Sequence, residues 1–116
     1  MNQIIKERME VMEKMSGRDD DMSQRRALWR ILASMDGLYN RKELIYDFET
    51  GYIKPEVLDE IGWSSGEGVM IRFGFNLFTG GYQEANVGWD IRRIDSNCFE
   101  AYIDALYLVK EKMRRF

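Results

Sequence analysis

Residues 63–80, WSSGEGVMIRFGFNLFTG, decide whether the chain folds as helices alone or includes a β-hairpin. A strand is indicated because apolar residues occupy every second position, at Val69, Ile71, Phe73, Phe75 and Leu77. A helix is indicated because Ser64 and Glu67 form a capping box and Gly80 supplies a helix stop. Three internal glycines weaken both structures. The pattern alone therefore leaves helix and strand equally open.

Apolar residues at helical spacing predict helices before and after this stretch. Most of them start at a capping residue or a proline and end just before a glycine. In one of them, Asn40 and Glu43 form a capping box, with Leu44, Ile45 and Phe48 on the inner face. Residues 81–96 are interrupted by glycine and asparagine, which predicts a loop with one helical turn. The predicted helices cover residues 2–16, 23–35, 41–48, 55–61 and 98–115.

Four stretches of the sequence resemble a small domain-of-unknown-function family of Gram-positive bacteria and their phages. They are ALWRILASMDGLY (27–39), IYDF (45–48), IKPEVLDEIGW (53–63) and FGFNLFTGG (73–81). The resemblance covers roughly residues 26–82 and, more loosely, the closing helix. It implies an all-α fold and a phage or prophage origin, and it assigns no catalytic residue. The chain departs from the family pattern at Gly74, where the family favours a small helix-forming residue, and over 81–96.

With this resemblance, helix is favoured for 63–80, and the predicted fold is all-α, a compact bundle of five to six helices. The alternative is an α+β fold with a small hairpin around 68–93. The predicted organisation is an N-terminal amphipathic helix, residues 1–17, followed by a single globular helical domain, residues 18–116.

Composition and charge exclude several classes of function. The 116 residues include 17 Lys and Arg, 20 Asp and Glu, no His and one Cys, for a net charge of −3. Without His, and with one Cys, the chain lacks the residues for a zinc finger, a disulfide framework or Cys–His catalysis. We therefore expect a non-catalytic protein that uses no cofactor or metal. No secretory signal or membrane-spanning apolar run is found, so we expect a cytoplasmic protein.

The first predicted helix carries an apolar stripe that suits two roles. Ile5, Met9 and Met12 follow helical spacing along one face. The stripe can pack on the core of its own chain, or it can join two copies as a homodimer. Both roles remain open because a helix this short is marginal unless it packs on something.

Acidic residues cluster in the third and fourth predicted helices, where they favour binding to a protein with a basic surface. The cluster comprises Asp47, Glu49, Glu56, Asp59 and Glu60. Tyr82 and Trp89, in the predicted loop, are the candidate exposed aromatic anchors. The ordinary alternative is a solvated acidic face, and paired carboxylates also suit glycoside hydrolysis or Mg²⁺ binding. The most specific prediction is an anti-CRISPR-like inhibitor, encoded by a phage, that occupies the nucleic-acid groove of a host nuclease or defence complex.

The competing prediction is a small DNA-binding regulator with a degenerate helix-turn-helix at 23–49. Its candidate phosphate contacts are Arg25, Arg26, Arg41 and Lys42. Gly37 suits the turn of such a motif. However, Glu43 stands where an apolar residue should pack, Tyr46 is bulky for its position, and nearby carboxylates repel phosphates. Direct nucleic-acid binding is therefore the weaker of the two predictions.

Overall fold

The computed structural model describes residues 2–17, 23–60, 62–82 and 84–114, without the side chains of Glu60 and of residues 111–114. Within these ranges the fold is all-α, with one small antiparallel hairpin. In chain order the elements are α1 (Gln3–Ser16), α2 (Ser23–Leu32), α3 (Asp36–Tyr39), α4 (Lys42–Ile45), β1 (Tyr46–Asp47), β2 (Tyr52–Ile53), α5 (Val57–Glu60), α6 (Ser65–Thr79), α7 (Val87–Asp90), a 3₁₀-helix (Ile91–Arg93) and α8 (Ser96–Arg114).

The ambiguous stretch is helical and forms α6. The Ser64 hydroxyl accepts the Glu67 N–H at 3.1 Å, and the Ser64 N–H donates to the Glu67 carboxylate at 2.9 Å. These two bonds complete the predicted capping box. At the other end Gly80 has φ 77° and caps the helix in the left-handed conformation. The end signals therefore decide the structure, and the predicted helix is confirmed.

The strand-like alternation in α6 arises because the helix lies at the centre of the core and is apolar nearly all round. It packs against α2 on one side and α8 on another. A Cβ at Gly74 would lie 2.7 Å from Leu28 Cδ1 of α2, so the glycine permits the close approach of these two helices. The Phe73 and Tyr102 rings, 4.6 Å apart, join α6 to α8. Gly74 therefore has a packing role between α2 and α6.

The N-terminal helix α1 packs on this same core. Met9 and Met12 are buried, and Ile5 is partly buried against the core. The structure thus places the predicted self-association residues inside their own chain, and a homodimer stays a prediction. The exposed apolar residues of α1 are different ones, Ile4 and Val11 among them. The predicted boundary between residues 17 and 18 borders positions 18–22, which lie outside the described residues.

The prediction of one helix over 41–48 is wrong in its second half. Helix α4 ends at Ile45, and the chain turns into a hairpin because the Asp47 carboxylate accepts the N–H groups of Glu49 and Thr50 at 2.9 and 3.1 Å. Gly51, with φ 80°, closes the turn. The hairpin therefore lies at 46–53, whereas the α+β alternative expected one around 68–93.

The structure also differs from the prediction at two positions near the start of α4. Arg41, not Asn40, precedes the helix, and its side chain makes no capping hydrogen bond. Leu44, predicted to face inward, is exposed. Helix α4 ends one residue later, and the residue that it buries is Ile45. Phe48 is buried as predicted, although it lies in the turn.

Candidate protein-binding surface

The hairpin presents an aromatic ring beside a carboxylate. Asp47 of β1 stands opposite Tyr52 of β2, and residues opposite each other in a ladder share a face. Tyr52 is 70% exposed, the most exposed of the large apolar side chains in the described residues. Glu49 is exposed in the turn that joins the strands. We call Asp47, Glu49 and Tyr52 the acidic hairpin face.

The opposite side of the hairpin is fixed to the core by aromatic packing. The Tyr46 ring is fully buried and meets the Phe48 ring edge-to-face at 4.9 Å. The Trp29 ring of α2 packs edge-to-face on Tyr46 at 6.2 Å and stacks on Phe48 at 6.3 Å. The Lys54 N–H donates to the Ile45 carbonyl at 2.8 Å and ties the hairpin to α4. The acidic hairpin face therefore stands on a rigid base.

The charge at Asp47 is set by the hairpin turn. The N–H groups of Thr50 and then Glu49 donate to its carboxylate, and they hold the pKa of Asp47 below its ordinary value of 3.8. The carboxylate is therefore ionised throughout the physiological pH range. Its position is also fixed, because the same two hydrogen bonds define the turn.

The structure does not bring the whole predicted acidic cluster together. Glu56 is exposed in the turn after β2, and Asp59 of α5 lines a separate pocket with Trp63 and Arg72. Glu60 is the last residue of α5, but its side chain lies outside the described part of the chain. Only two of the predicted carboxylates, Asp47 and Glu49, thus belong to the hairpin.

The two predicted aromatic anchors differ from each other. Trp89 is 60% exposed in α7, whose first turn is capped by the side chain of Asn86. Tyr82 is partly buried, which corrects the expectation that it is exposed, because its ring packs edge-to-face on Phe75 at 5.5 Å. Burial, reinforced by a hydrogen bond to Glu84, raises the pKa of Tyr82 to about 12. Trp89 alone remains available as an exposed anchor, and its role stays a prediction.

The basic residues of the alternative prediction are engaged within the chain. Arg25 is buried, and Arg26 lies 3.7 Å from the carboxylate of Glu13 on α1. Arg41 donates to Glu67 at 3.1 Å and lies over the Trp63 ring at 4.1 Å.

The helix-turn-helix itself also changes in the structure. The Lys42 ammonium group donates to the Tyr39 carbonyl at 3.2 Å and lies over the Tyr39 ring. Gly37 lies inside the four-residue helix α3, and it is followed by the four-residue helix α4 instead of by one recognition helix. DNA binding through 23–49 stays a prediction that none of these contacts favours.

Sequence reasoning missed Tyr52, the side chain that distinguishes the acidic hairpin face. The predicted helix 41–48 ends before Tyr52, so the sequence pattern predicts no structure for this residue. An Asp followed four residues later by Gly, as at Asp47 and Gly51, is the signal that could have located the turn. The alternation of Tyr46 and Phe48 would then have assigned one face of the hairpin to the core.

The described residues contain no metal-binding cluster and no membrane-spanning helix. No three of their Asp, Glu and Cys side chains are placed to hold a metal ion. No helix among them has the length and apolar character needed to cross a bilayer.

The comparisons with known proteins identify a family. The chain matches the family described as "Family of unknown function (DUF6075)" over residues 4–113. The chain belongs to the DUF6075 family. The match extends from α1 to α8 and includes the hairpin, so the acidic hairpin face of this DUF6075 protein lies inside the matched region. No curated protein and no solved structure matches the chain.

Proposed function

We propose that this DUF6075 protein is a non-catalytic protein-binding module, and that its acidic hairpin face docks on a basic surface of another protein. The observation that carries the proposal is the exposed Tyr52 ring, held opposite the ionised Asp47 on a rigid hairpin. Tyrosine is among the residue types that most often anchor interfaces. The carboxylates supply the complementary charge that steers a basic partner.

The rigidity of the hairpin supports this role. Binding costs less when the contacting groups are already ordered, and the hydrogen-bonded turn and the aromatic base both order this surface. Tyr52 has little else to do in the fold, because its ring is turned to solvent while Tyr46 and Ile53 pack on the core.

In its most specific form, the proposal is that the partner is a nucleic-acid enzyme of a host defence system and that the protein inhibits it. An anionic surface competes with nucleic acid for a basic groove because both offer negative charge to the same cations. This form of the proposal includes a phage or prophage origin and a cytoplasmic location. It predicts that added salt weakens both the contact and the inhibition.

The experiment compares two variants of the face with two matched controls. Tyr52→Ala removes the ring and Glu49→Lys reverses a charge, while Tyr107→Ala on α8 and Glu10→Lys on α1 make the same changes at exposed positions elsewhere. Each protein is immobilised and exposed to lysate of the host cells, the bound proteins are quantified, and the enriched partner is then purified for a direct binding titration.

We expect the partner to have a basic surface and to bind the two controls as it binds the wild type. Loss of the ring or reversal of the charge should weaken binding by about tenfold or more, which corresponds to about 1.4 kcal/mol. Equal binding of all five proteins would show that the acidic hairpin face is not the interface. A nuclease partner whose cleavage rate is unchanged by the bound protein would contradict the inhibitor form alone.

A further inference from the structure

The closing helix α8 carries apolar side chains on two opposite faces. Its inner face packs on the core through Cys98, Ala101 and Ala105, all of which are buried. Its outer face carries the rings of Phe99 and Tyr107, which are 46% and 60% exposed. The outer face of a helix in a single domain is ordinarily polar, and an exposed apolar face marks a surface that contacts something else.

The outer residues have the spacing of a helix that pairs with another helix. Leu106 is exposed and Ile103 is partly exposed on the same side as the Phe99 ring. Intervals of four, three and four residues, the alternation of d and a positions in a coiled coil, separate Phe99, Ile103, Leu106 and Lys110. We call these four residues the outer stripe of α8. The stripe extends over about 17 Å, or three helical turns, and shares no residue with the acidic hairpin face.

The charges at the two ends of the stripe are complementary to a second copy of the same helix. Glu100 lies beside Phe99 at one end, and Lys110 ends the stripe at the other. Both are exposed, and neither has an ion pair among the described residues. Two antiparallel copies bring each Glu100 beside the partner's Lys110, whereas two parallel copies bring like charges together. The charge pattern therefore fits a second copy in the antiparallel orientation.

We propose that two copies of this chain associate through the outer stripe of α8, with the two helices antiparallel about a two-fold axis. Each Ile103 packs on the partner's Leu106 at the centre. Each Phe99 covers the aliphatic stem of the partner's Lys110, whose ammonium group pairs with Glu100. A lysine at an a position fixes the register of such a pair.

The dimer is a weak one, because three helical turns bury less surface than an interface of standard size. We expect a dissociation constant of about 100 µM, so the chain is a monomer at low micromolar concentration. Association through α8 is also distinct from association through α1, whose predicted self-association residues are buried in their own chain.

The first test is analytical ultracentrifugation of the full chain from about 10 µM to 1 mM, a range that spans the expected dissociation constant. We expect the average mass to rise from one chain towards two. Leu106→Glu places two carboxylates near the axis and should abolish the rise, while Val11→Glu, at an exposed apolar position of α1, is the matched control and should associate as the wild type does. A wild type that stays monomeric at 1 mM, or a Leu106→Glu variant that associates like the wild type, would overturn the proposal.

The second test exchanges the charges. Glu100→Lys and Lys110→Glu each replace attraction by repulsion at both ends of the stripe, and each should weaken association about tenfold. The double variant, and an equal mixture of the two single variants, should regain the wild-type affinity, because opposite charges again meet at both ends. Glu10→Lys on α1 is the matched control and should change nothing. Single variants that associate as the wild type does, or a double variant no stronger than the single ones, would refute the antiparallel arrangement.

Discussion

Helices α2, α6 and α8 are held together differently from residues 36–53. The three helices are joined by apolar packing, in which Phe73 and Leu28 are fully buried. Residues 36–53 form two four-residue helices and a hairpin of two-residue strands, none of them long enough to be stable alone. Their shape is set by side-chain to backbone hydrogen bonds at Asp47 and by the aromatic residues beneath them.

This difference separates the part of the molecule that provides stability from the part that we expect to bind. The packed helices supply a base that tolerates little change, since a core at native packing density responds to the loss of even a few atoms. Substitutions on the outer face of the hairpin should cost little stability, because Tyr52 and Glu49 are exposed. Surface loops on a rigid scaffold commonly carry function for this reason.

The largest effect is expected from shortening a buried side chain of the helical region. Phe73→Ala should lower the free energy of unfolding by about 3–5 kcal/mol, because it leaves a cavity between α6 and α8. Phe99→Ala is the matched control on α8, where the ring is 46% exposed, and should cost less than about 1 kcal/mol. Urea unfolding followed by circular dichroism measures both. Similar costs for the two variants would show that burial does not distinguish these rings.

A smaller effect, confined to the hairpin, is expected at Gly51. Gly51→Ala should lower the free energy of unfolding by about 1–2 kcal/mol, because its φ of 80° is unfavourable for a residue with a Cβ. The control is Gly66→Ala in the first turn of α6, where an added Cβ meets open space. Helix propensity predicts that this second change stabilises the fold by about 0.5–1 kcal/mol. The two alanines should therefore shift the urea midpoint in opposite directions, and a shift in the same direction would contradict the assigned backbone of the turn.

The helical part of the fold could be predicted from sequence because its signals are local and repeated. Ser64, Glu67 and Gly80 mark both ends of α6, and the closing helix carries a long apolar pattern. Between residues 36 and 53 the apolar residues are too few to establish a period. There the Asn40 capping pattern predicted a helix, but the tighter Asp47 turn and the packing of Tyr46 on Trp29 determine the structure.

The candidate site could be predicted only in part. Charge is visible in the sequence, so Asp47 and Glu49 could be predicted as candidates, and the interrupted pattern around Trp89 correctly indicated exposure. The exposure of Tyr52 and the partial burial of Tyr82 depend on register and on contacts distant in sequence. The sequence of the loop after α6 does not indicate which of its aromatic rings packs on the core. Tyr82 was therefore predicted to be exposed, although it is partly buried.

Acidification should loosen the hairpin by protonating Asp47. The folded pKa of Asp47 lies below its ordinary 3.8 because the N–H groups of Thr50 and Glu49 donate to the carboxylate. Its contribution to stability is therefore complete above the unfolded value and is lost as the pH falls through the lower folded value. We expect the amide resonances of Thr50 and Glu49 to shift with one midpoint below pH 3.8, and Asp47→Asn to abolish that transition. A midpoint above 3.8 would contradict the turn.

The smallest expected effect is the absence of a reaction at Cys98. Burial, with a hydrogen bond to Asp95, raises the pKa of the Cys98 thiol to about 12, and the side chain lies in the first turns of α8 against the core. A thiol reagent at pH 8 should leave it unmodified in the folded protein, because little thiolate forms and access requires opening of α8. A cysteine introduced on the hairpin, Glu49→Cys, should react at the rate of a free thiol, since that position is exposed. The single-cysteine wild type and the two-cysteine variant thus report on the two regions separately. Rapid modification of Cys98 in the wild type would mean that α8 opens readily. The helical region would then not be the rigid part of the molecule, and its contrast with the hairpin would fail.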